Sequence, residues 1–236
     1  KLLPSIFSSG VTQINILIGT IIASFEAGAV SYLYYADRVY QINLAIAGIA
    51  ISTVSLPALT KAIKQKNKLK IFKIQNKSLE LCLLLSIPAS FGLVIASDEV
   101  VNALFGYGSF SKENVTATGE ALKYFGYGIP AFALIKVLSN FFFARDNTKI
   151  PFYLSFLIVT INVVISLSFF KQLGFIIIPI ATSVSTWIGV MLYFIFLRKY
   201  LSFLFKLNFI KTILKIFIST LLMSAILTIG LDYFTE

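Results

Sequence analysis

Long apolar runs separated by short charged segments dominate this chain. Seven runs reach the roughly 20 residues that an α-helix needs to cross the ~30 Å hydrocarbon core of a bilayer. Their predicted bounds are 6–25, 39–59, 79–97, 124–144, 152–170, 174–197 and 212–231. The runs are continuous rather than alternating between polar and apolar residues, which excludes a transmembrane β-barrel. The pattern therefore predicts an all-α fold, a polytopic bundle of transmembrane helices.

Composition agrees with a protein that lies in the membrane. Mean hydropathy is +0.89, and only 13% of residues are charged, against about 25% in an ordinary soluble domain. Histidine is absent and Cys82 is the single cysteine, so disulfides and Cys/His metal sites are unavailable. No carboxylate pair at helical spacing lies inside a run, and no glycine-rich phosphate loop is present. We therefore predict no enzymatic activity, no metal site and no cofactor.

The basic residues indicate a topology. Segment 61–77 holds seven lysines and no acidic residue, so the positive-inside rule places it in the cytoplasm. Alternation of the seven runs then puts the N-terminus in the cytoplasm and the C-terminus in the periplasm. The net charge of +10 could suggest nucleic acid. We reject that partner because the lysines lie between apolar runs rather than on a soluble basic face.

Two basic segments also contain large apolar residues. Residues 64–77 and 201–216 interleave lysines with leucine, isoleucine and phenylalanine. Such segments suit short amphipathic helices on an anionic inner leaflet, which makes anionic lipids candidate partners. The alternative is plain topogenic charge in a solvated loop.

Polar residues follow helical stripes in four of the runs. In lipid, such a stripe must face protein or a wet cavity. The stripes contain Ser8, Thr12, Asn15, Gly19 and Glu26 in the first run, Gln41, Ala45, Gly48, Ser52 and Ser55 in the second, Ser155, Asn162 and Ser166 in the fifth, and Thr182, Ser185, Thr186, Gly189 and Tyr193 in the sixth. Tight helix packing explains any single stripe. Four together favour a hydrated interior, with the predicted cavity-lining residues Ser8, Thr12, Gly19, Gly48, Ser52, Asn162, Thr182 and Thr186.

Charged residues at or inside the runs are the candidate binding groups. Arg38 follows Asp37 in what the pattern predicts to be a charged turn, residues 34–38. A guanidinium at the mouth of a span is costly unless it faces water, a counter-charge or an anionic ligand. Lys136 lies inside the fourth run, where it is either a second cationic contact or a lysine that snorkels to the interface. The predicted substrate-binding residues are Arg38, Asp37, Gln41, Asn15 and Lys136.

Four segments resemble one family. They are residues 24–38 (SFEAGAVSYLYYADR), 57–61 (PALTK), 105–110 (FGYGSF) and 143–151 (FARDNTKIP). In this order they resemble the MurJ/MviN lipid II flippases of the multidrug/oligosaccharidyl-lipid/polysaccharide exporter superfamily. The resemblance implies that residues 1–200 form the second six-helix lobe of a flippase. Residues 201–236 would then be a basic linker and one helix, 212–231, of a lipid groove.

The same resemblance implies a function. The substrate would be lipid II, carried by alternating access across the bacterial inner membrane, with Arg38 as a cavity arginine. The chain would be a fragment, and its main protein partner the missing N-terminal lobe of the same protein. Two alternatives remain open: another superfamily exporter of lipid-linked oligosaccharides or drugs, and a non-transporting membrane scaffold in which every stripe is helix packing.

Overall fold

The chain folds into a bundle of helices in a computed structural model that describes residues 13, 15–198, 200 and 207–235. All regular secondary structure in these ranges is helical, so the all-α prediction is confirmed. The elements are α1 (15–23), α2 (Ala29–Leu44), a π-helical segment (Ala45–Ala50), α3 (Ile51–Lys64), α4 (Lys68–Ile95), α5 (Ser97–Phe105), α6 (Lys112–Phe143), α7 (Lys149–Leu173), a 3₁₀ turn (Gly174–Ile176), α8 (Ile177–Leu197) and α9 (Leu207–Thr235).

The protein crosses the membrane several times. Five described stretches are long and apolar enough to span it: Ala29–Lys64, Lys68–Ile95, Lys112–Phe143, Lys149–Leu197 and Phe209–Tyr233. The stretch from 149 to 197 is a hairpin, because Gly174 adopts a φ of +60° between α7 and α8. Asn162 of α7 donates a hydrogen bond of 3.1 Å to Thr182 of α8, so these two helices run antiparallel.

The second span begins earlier than the sequence pattern predicts. Residues 34–38 are not a charged turn, because they lie inside α2. The turn falls at residues 24–28, where Gly28 takes a left-handed φ of +79°. Residues 29–44 contain no glycine or proline, and two charged side chains do not end a helix that has no breaker. Asp37 and Arg38 therefore occupy successive positions of α2, about 100° apart around the helix axis.

The basic segment 68–77 is the start of α4 rather than a separate helix on the membrane surface. The Asn67 side-chain oxygen accepts a hydrogen bond of 3.0 Å from the Lys70 backbone N–H and so caps the helix. At 1.5 Å per residue, the 28 residues of α4 extend about 42 Å, longer than the hydrocarbon core. For segment 201–216, residues 201–206 lie outside the described residues and residues 207–216 open α9.

Helix α6 is the centre of the bundle. Most of its residues are buried against α2, α4, α5 and α8. Small residues allow close approach: a Cβ on Gly48 would lie 3.1 Å from the Ala133 Cα atom. The Ser90 hydroxyl donates a hydrogen bond of 2.7 Å to the carbonyl of Gly126. Close packing and hydroxyl hydrogen bonds are what hold helices together in lipid, where apolar burial alone supplies little.

The α2–π–α3 rod runs parallel to α6. The Tyr40 ring stacks on Phe125 with centroids 4.9 Å apart. Farther along, Gly48 meets Ala133, and the Ser52 hydroxyl meets the backbone of Lys136. This register fixes which α6 residues lie beside the residues of the candidate site.

Candidate functional site

One cavity brings together polar residues of the first two spans and of the α7–α8 hairpin. It has a volume of about 560 Å³ and lies between α1, α2, α7 and α8, with Phe125 of α6 in its wall. Its polar or charged lining residues are Gln13, Asn15, Thr20, Tyr34, Asp37, Arg38, Tyr40, Gln41, Asn162, Ser166 and Thr182. Among the predicted site residues, Arg38, Asp37, Gln41, Asn15, Gly19, Asn162 and Thr182 lie in this lining.

Arg38 presents an exposed guanidinium on the α2 side of the cavity. Its Cζ atom lies 4.6 Å from the centroid of the Tyr34 ring, one turn earlier on the helix. The neighbouring Asp37 carboxylate accepts a hydrogen bond from the Gln41 side-chain amide. No carboxylate of the described residues lies within salt-bridge distance of Arg38, so its forked N–H groups are free for an anionic ligand.

A neutral hydrogen-bond network forms the opposite wall. The Asn162 side-chain amide donates hydrogen bonds of 3.1 Å to the side-chain oxygens of Asn15 and Thr182. Its oxygen accepts a hydrogen bond of 3.1 Å from the Ser166 hydroxyl. The network thus joins α1, α7 and α8 and consists of amides and hydroxyls alone. Such groups suit hydroxyl-bearing or amide-bearing ligands and water.

The turn after α1 is tied to the α7–α8 hairpin. The Glu26 carboxylate accepts a hydrogen bond of 2.7 Å from the Phe175 backbone N–H. The Tyr32 hydroxyl donates a hydrogen bond of 3.1 Å to the Asn114 side chain at the start of α6. These two contacts hold the turn after α1 and the first turn of α2 against the rest of the bundle.

Four predicted site residues lie away from this cavity. Gly48 packs on Ala133, and Ser52 donates a hydrogen bond of 3.0 Å to the Lys136 carbonyl. Thr186 is buried and donates its hydroxyl proton to the carbonyl of Thr182 at 2.5 Å. The buried Gly48 and Thr186 are corrected from cavity lining to helix packing, because their small size or hydroxyl group serves contacts between or within helices. Ser52 is half-buried, and its place in a cavity stays a prediction. Lys136 is exposed on another part of α6, and Ser8 and Thr12 lie outside the described residues.

The sequence pattern missed several lining residues. Tyr34 lies one turn before Arg38 and Tyr40 one turn after Asp37 on α2, which becomes visible once α2 is known to start at Ala29. Gln13 falls off the polar stripe of the first run, yet it lines the cavity. Among the described residues, no group of three His, Cys, Asp or Glu side chains is arranged to hold a metal ion.

Comparisons with known proteins decide the family. The model of the family described as lipid II flippase MurJ matches residues 1–236. The chain therefore belongs to the MurJ lipid II flippase family. The probable lipid II flippase MurJ of Rickettsia prowazekii is 36% identical over 233 residues, which are 99% of this chain and 46% of that protein. That of Rhizobium meliloti is 42% identical over 192 residues, which are 81% of this chain and 36% of that protein.

Solved structures of related transporters share the fold. The lipid II flippase MurJ in an inward closed conformation matches with a TM-score of 0.84 at 27% identity, over 95% of this chain and 46% of that chain. An outward-facing transporter of the multidrug MATE family matches with a TM-score of 0.72 at 18% identity, which shows the fold alone. The chain thus spans less than half the length of these MurJ relatives.

Proposed function

We propose that this chain forms one lobe of a lipid II flippase, and that Arg38 binds the pyrophosphate of the substrate. Membership of the MurJ family supports the substrate class. The observation that carries the residue assignment is a free guanidinium in the wall of a cavity between four helices. Each phosphate of a pyrophosphate presents two oxygen atoms that accept paired hydrogen bonds, and arginine is the side chain that donates such a pair as a rigid planar fork.

The residues around Arg38 have separate roles in this proposal. Gln41 holds Asp37, which keeps that carboxylate from closing an ion pair over the guanidinium. The Tyr34 ring keeps the Arg38 side chain along α2 through a cation–π contact. Asn15, Asn162 and Thr182 supply a neutral polar wall for the sugar-peptide part of the head group.

The rest of the cavity would come from the N-terminal lobe of the same protein, because the chain covers 46% of its Rickettsia relative. Alternating access of two lobes would carry the head group from the cytoplasmic to the periplasmic leaflet of the inner membrane. The membrane potential can contribute about 2.3 kcal/mol per charge per 100 mV to such a movement. Helix α9, packed on α4, would be the first helix of the lipid groove.

We further propose a cytoplasmic N-terminus and a periplasmic C-terminus, with anionic lipids contacting the lysines at the start of α4. Lys68 and Glu113 are both exposed, at opposite ends of the described bundle. Single cysteines at these positions, in a Cys82→Ser background of the full-length protein, should react with impermeant thiol reagents from the cytoplasmic and the periplasmic side, respectively. Reaction of both cysteines from one side would overturn this topology.

Complementation tests the Arg38 assignment. In a strain depleted of its lipid II flippase, full-length protein with Arg38→Ala should fail to support growth at normal protein abundance. Arg38→Lys should be impaired, because the charge remains while the paired hydrogen-bond geometry is lost. If Arg38 is an interfacial anchor only, lysine will replace it freely. Full rescue by both variants would remove Arg38 from the substrate site.

A further inference from the structure

Helix α6 carries a second cation that has no acidic partner among the described residues, inside a stretch apolar enough to span the membrane. Between Lys123 and Arg145, Lys136 is the one charged residue in the sequence. The α6 residues from 128 to 143 are otherwise buried or half-buried, whereas Lys136 is exposed. Between residues 128 and 143 the central helix therefore has one exposed position, which Lys136 occupies. We call this position the Lys136 window.

Lipid is an unfavourable surrounding for the Lys136 side chain. An ammonium at the centre of a transmembrane helix costs roughly 2.5–3.5 kcal/mol on insertion scales. Lys136 lies nine residues before Arg145, or about 13 Å along the helix axis, which is farther than a lysine side chain extends. Snorkelling to that end of α6 does not relieve the cost, so the ammonium requires water or an anion.

Two polar side chains, Ser52 and Asn140, fasten α3 to α6 at the level of the Lys136 backbone. Its carbonyl accepts a hydrogen bond of 3.0 Å from the Ser52 hydroxyl. One turn farther along α6, the Asn140 amide donates hydrogen bonds of 2.6 Å to the Ser52 hydroxyl and carbonyl oxygens. These contacts fix α3 beside the lysine and leave its ammonium without a partner among the described residues.

The Lys136 window and the Arg38 cavity belong to the same side of the bundle. Phe132, one turn before Lys136, lies with its ring centroid 5.3 Å from that of Tyr40. Tyr40 in turn lines the cavity. Ser52 marks the level of Lys136 and is fourteen residues beyond Arg38, so the two cations are separated by about 20 Å along the rod. That distance is about two thirds of the hydrocarbon core.

We infer that Lys136 is a second binding station for the phosphate-bearing head group, one that this group meets on the opposite side of the membrane centre from Arg38. The inference rests on the proposed flippase function. An anion that crosses a low-dielectric barrier is stabilised by a nearby unpaired cation. Two cations about 20 Å apart would stabilise it at two successive positions along the crossing. A carboxylate from elsewhere in the full-length protein is the competing partner for the ammonium.

The test compares charge variants in full-length protein reconstituted in proteoliposomes with lipid II. Lys136→Met, which keeps the length and removes the charge, should slow translocation by about tenfold, because a charge-assisted hydrogen bond is lost. Lys136→Arg should retain most of the rate. Thermal stability of both variants should stay at the wild-type value. Translocation by wild type establishes the proposed function in the same experiment; equal rates for wild type and Lys136→Met would reject the second station alone.

A binding measurement separates the substrate from a protein carboxylate. Lys136→Cys in a Cys82→Ser background should react with impermeant anionic thiol reagents, and lipid II should protect it more than inorganic pyrophosphate does. A cysteine that stays unreactive would overturn the inference. So would a large loss of thermal stability in Lys136→Met, since that loss identifies a structural ion pair with a carboxylate.

Discussion

The Asn162 amide of α7 donates a hydrogen bond of 3.1 Å to the side-chain oxygen of Asn15 in α1. Asn162 also donates to Thr182 of α8 and accepts from Ser166. One neutral side chain thus joins three helices at the wall of the Arg38 cavity. In a bilayer this arrangement both holds the helices and keeps polar groups available at the cavity surface.

Replacing Asn162 with alanine should loosen this wall. Interhelical hydrogen bonds in membranes average about 0.6 kcal/mol each, so the loss of Asn162 should lower the free energy of unfolding by about 1–2 kcal/mol. A lower Tm of the full-length Asn162→Ala protein in detergent would show this loss of stability. Thr160→Ala is the matched control, because the exposed Thr160 hydroxyl bonds only within α7. Equal Tm values for the two variants would contradict the structural role of Asn162.

Water should reach the cavity but not the neighbouring helix contacts. Thr182 lines the cavity, whereas Thr186, one turn along the same face of α8, is buried. In a Cys82→Ser background, Thr182→Cys should react with impermeant thiol reagents much faster than Thr186→Cys. Similar protection of both cysteines would support a packed scaffold instead.

Two glycines offer a matched test of helix packing. A Cβ at Gly48 would lie 3.1 Å from the Ala133 backbone, whereas a Cβ at Gly92 would meet nothing within 4 Å. Alanine is a better helix former than glycine by about 1 kcal/mol, so Gly92→Ala should raise or preserve the Tm. Gly48→Ala should lower the Tm, because the α6 backbone at Ala133 must move away from the new methyl group. A rise of similar size in both variants would show that Gly48 is not a packing contact.

Asp98 should make stability depend on pH. Partial burial, followed by repulsion from Glu99, raises the pKa of its carboxyl above the ordinary value. A group whose pKa is raised by folding stabilises the fold when protonated, and this contribution disappears as the pH rises through the folded pKa. As the pH falls from neutral towards the raised pKa of Asp98, the Tm should therefore increase more in wild type than in Asp98→Asn. The exposed Glu113→Gln serves as the control, and identical pH profiles for wild type and Asp98→Asn would exclude this effect.

The sequence predicted the membrane bundle well because hydrophobic runs of sufficient length have few alternative structures in lipid. It also predicted several members of the cavity, since Asn15, Asn162 and Thr182 are polar where lipid tolerates no polar surface. These are properties of single helices, and they can be read from helical periodicity alone.

The sequence pattern failed where the outcome depends on neighbouring helices. Gly48, Ser52 and Thr186 share polar stripes with cavity residues, but their contacts are to α6 or within α8. Periodicity does not distinguish a stripe that faces water from one that faces a close helix. The start of α2 was also wrong, because charge at residues 37–38 suggested a turn that Gly28 makes instead.

Lipid II translocation by the Arg38 variants tests the central claim most directly. Full-length wild type, Arg38→Ala and Arg38→Lys, reconstituted at equal amounts, are compared by the access of an impermeant head-group label to lipid II. Wild type should translocate lipid II rapidly, Arg38→Lys at a reduced rate and Arg38→Ala not at all, whereas Lys123→Ala on α6 should keep the wild-type rate. A wild-type rate in Arg38→Ala would contradict the account.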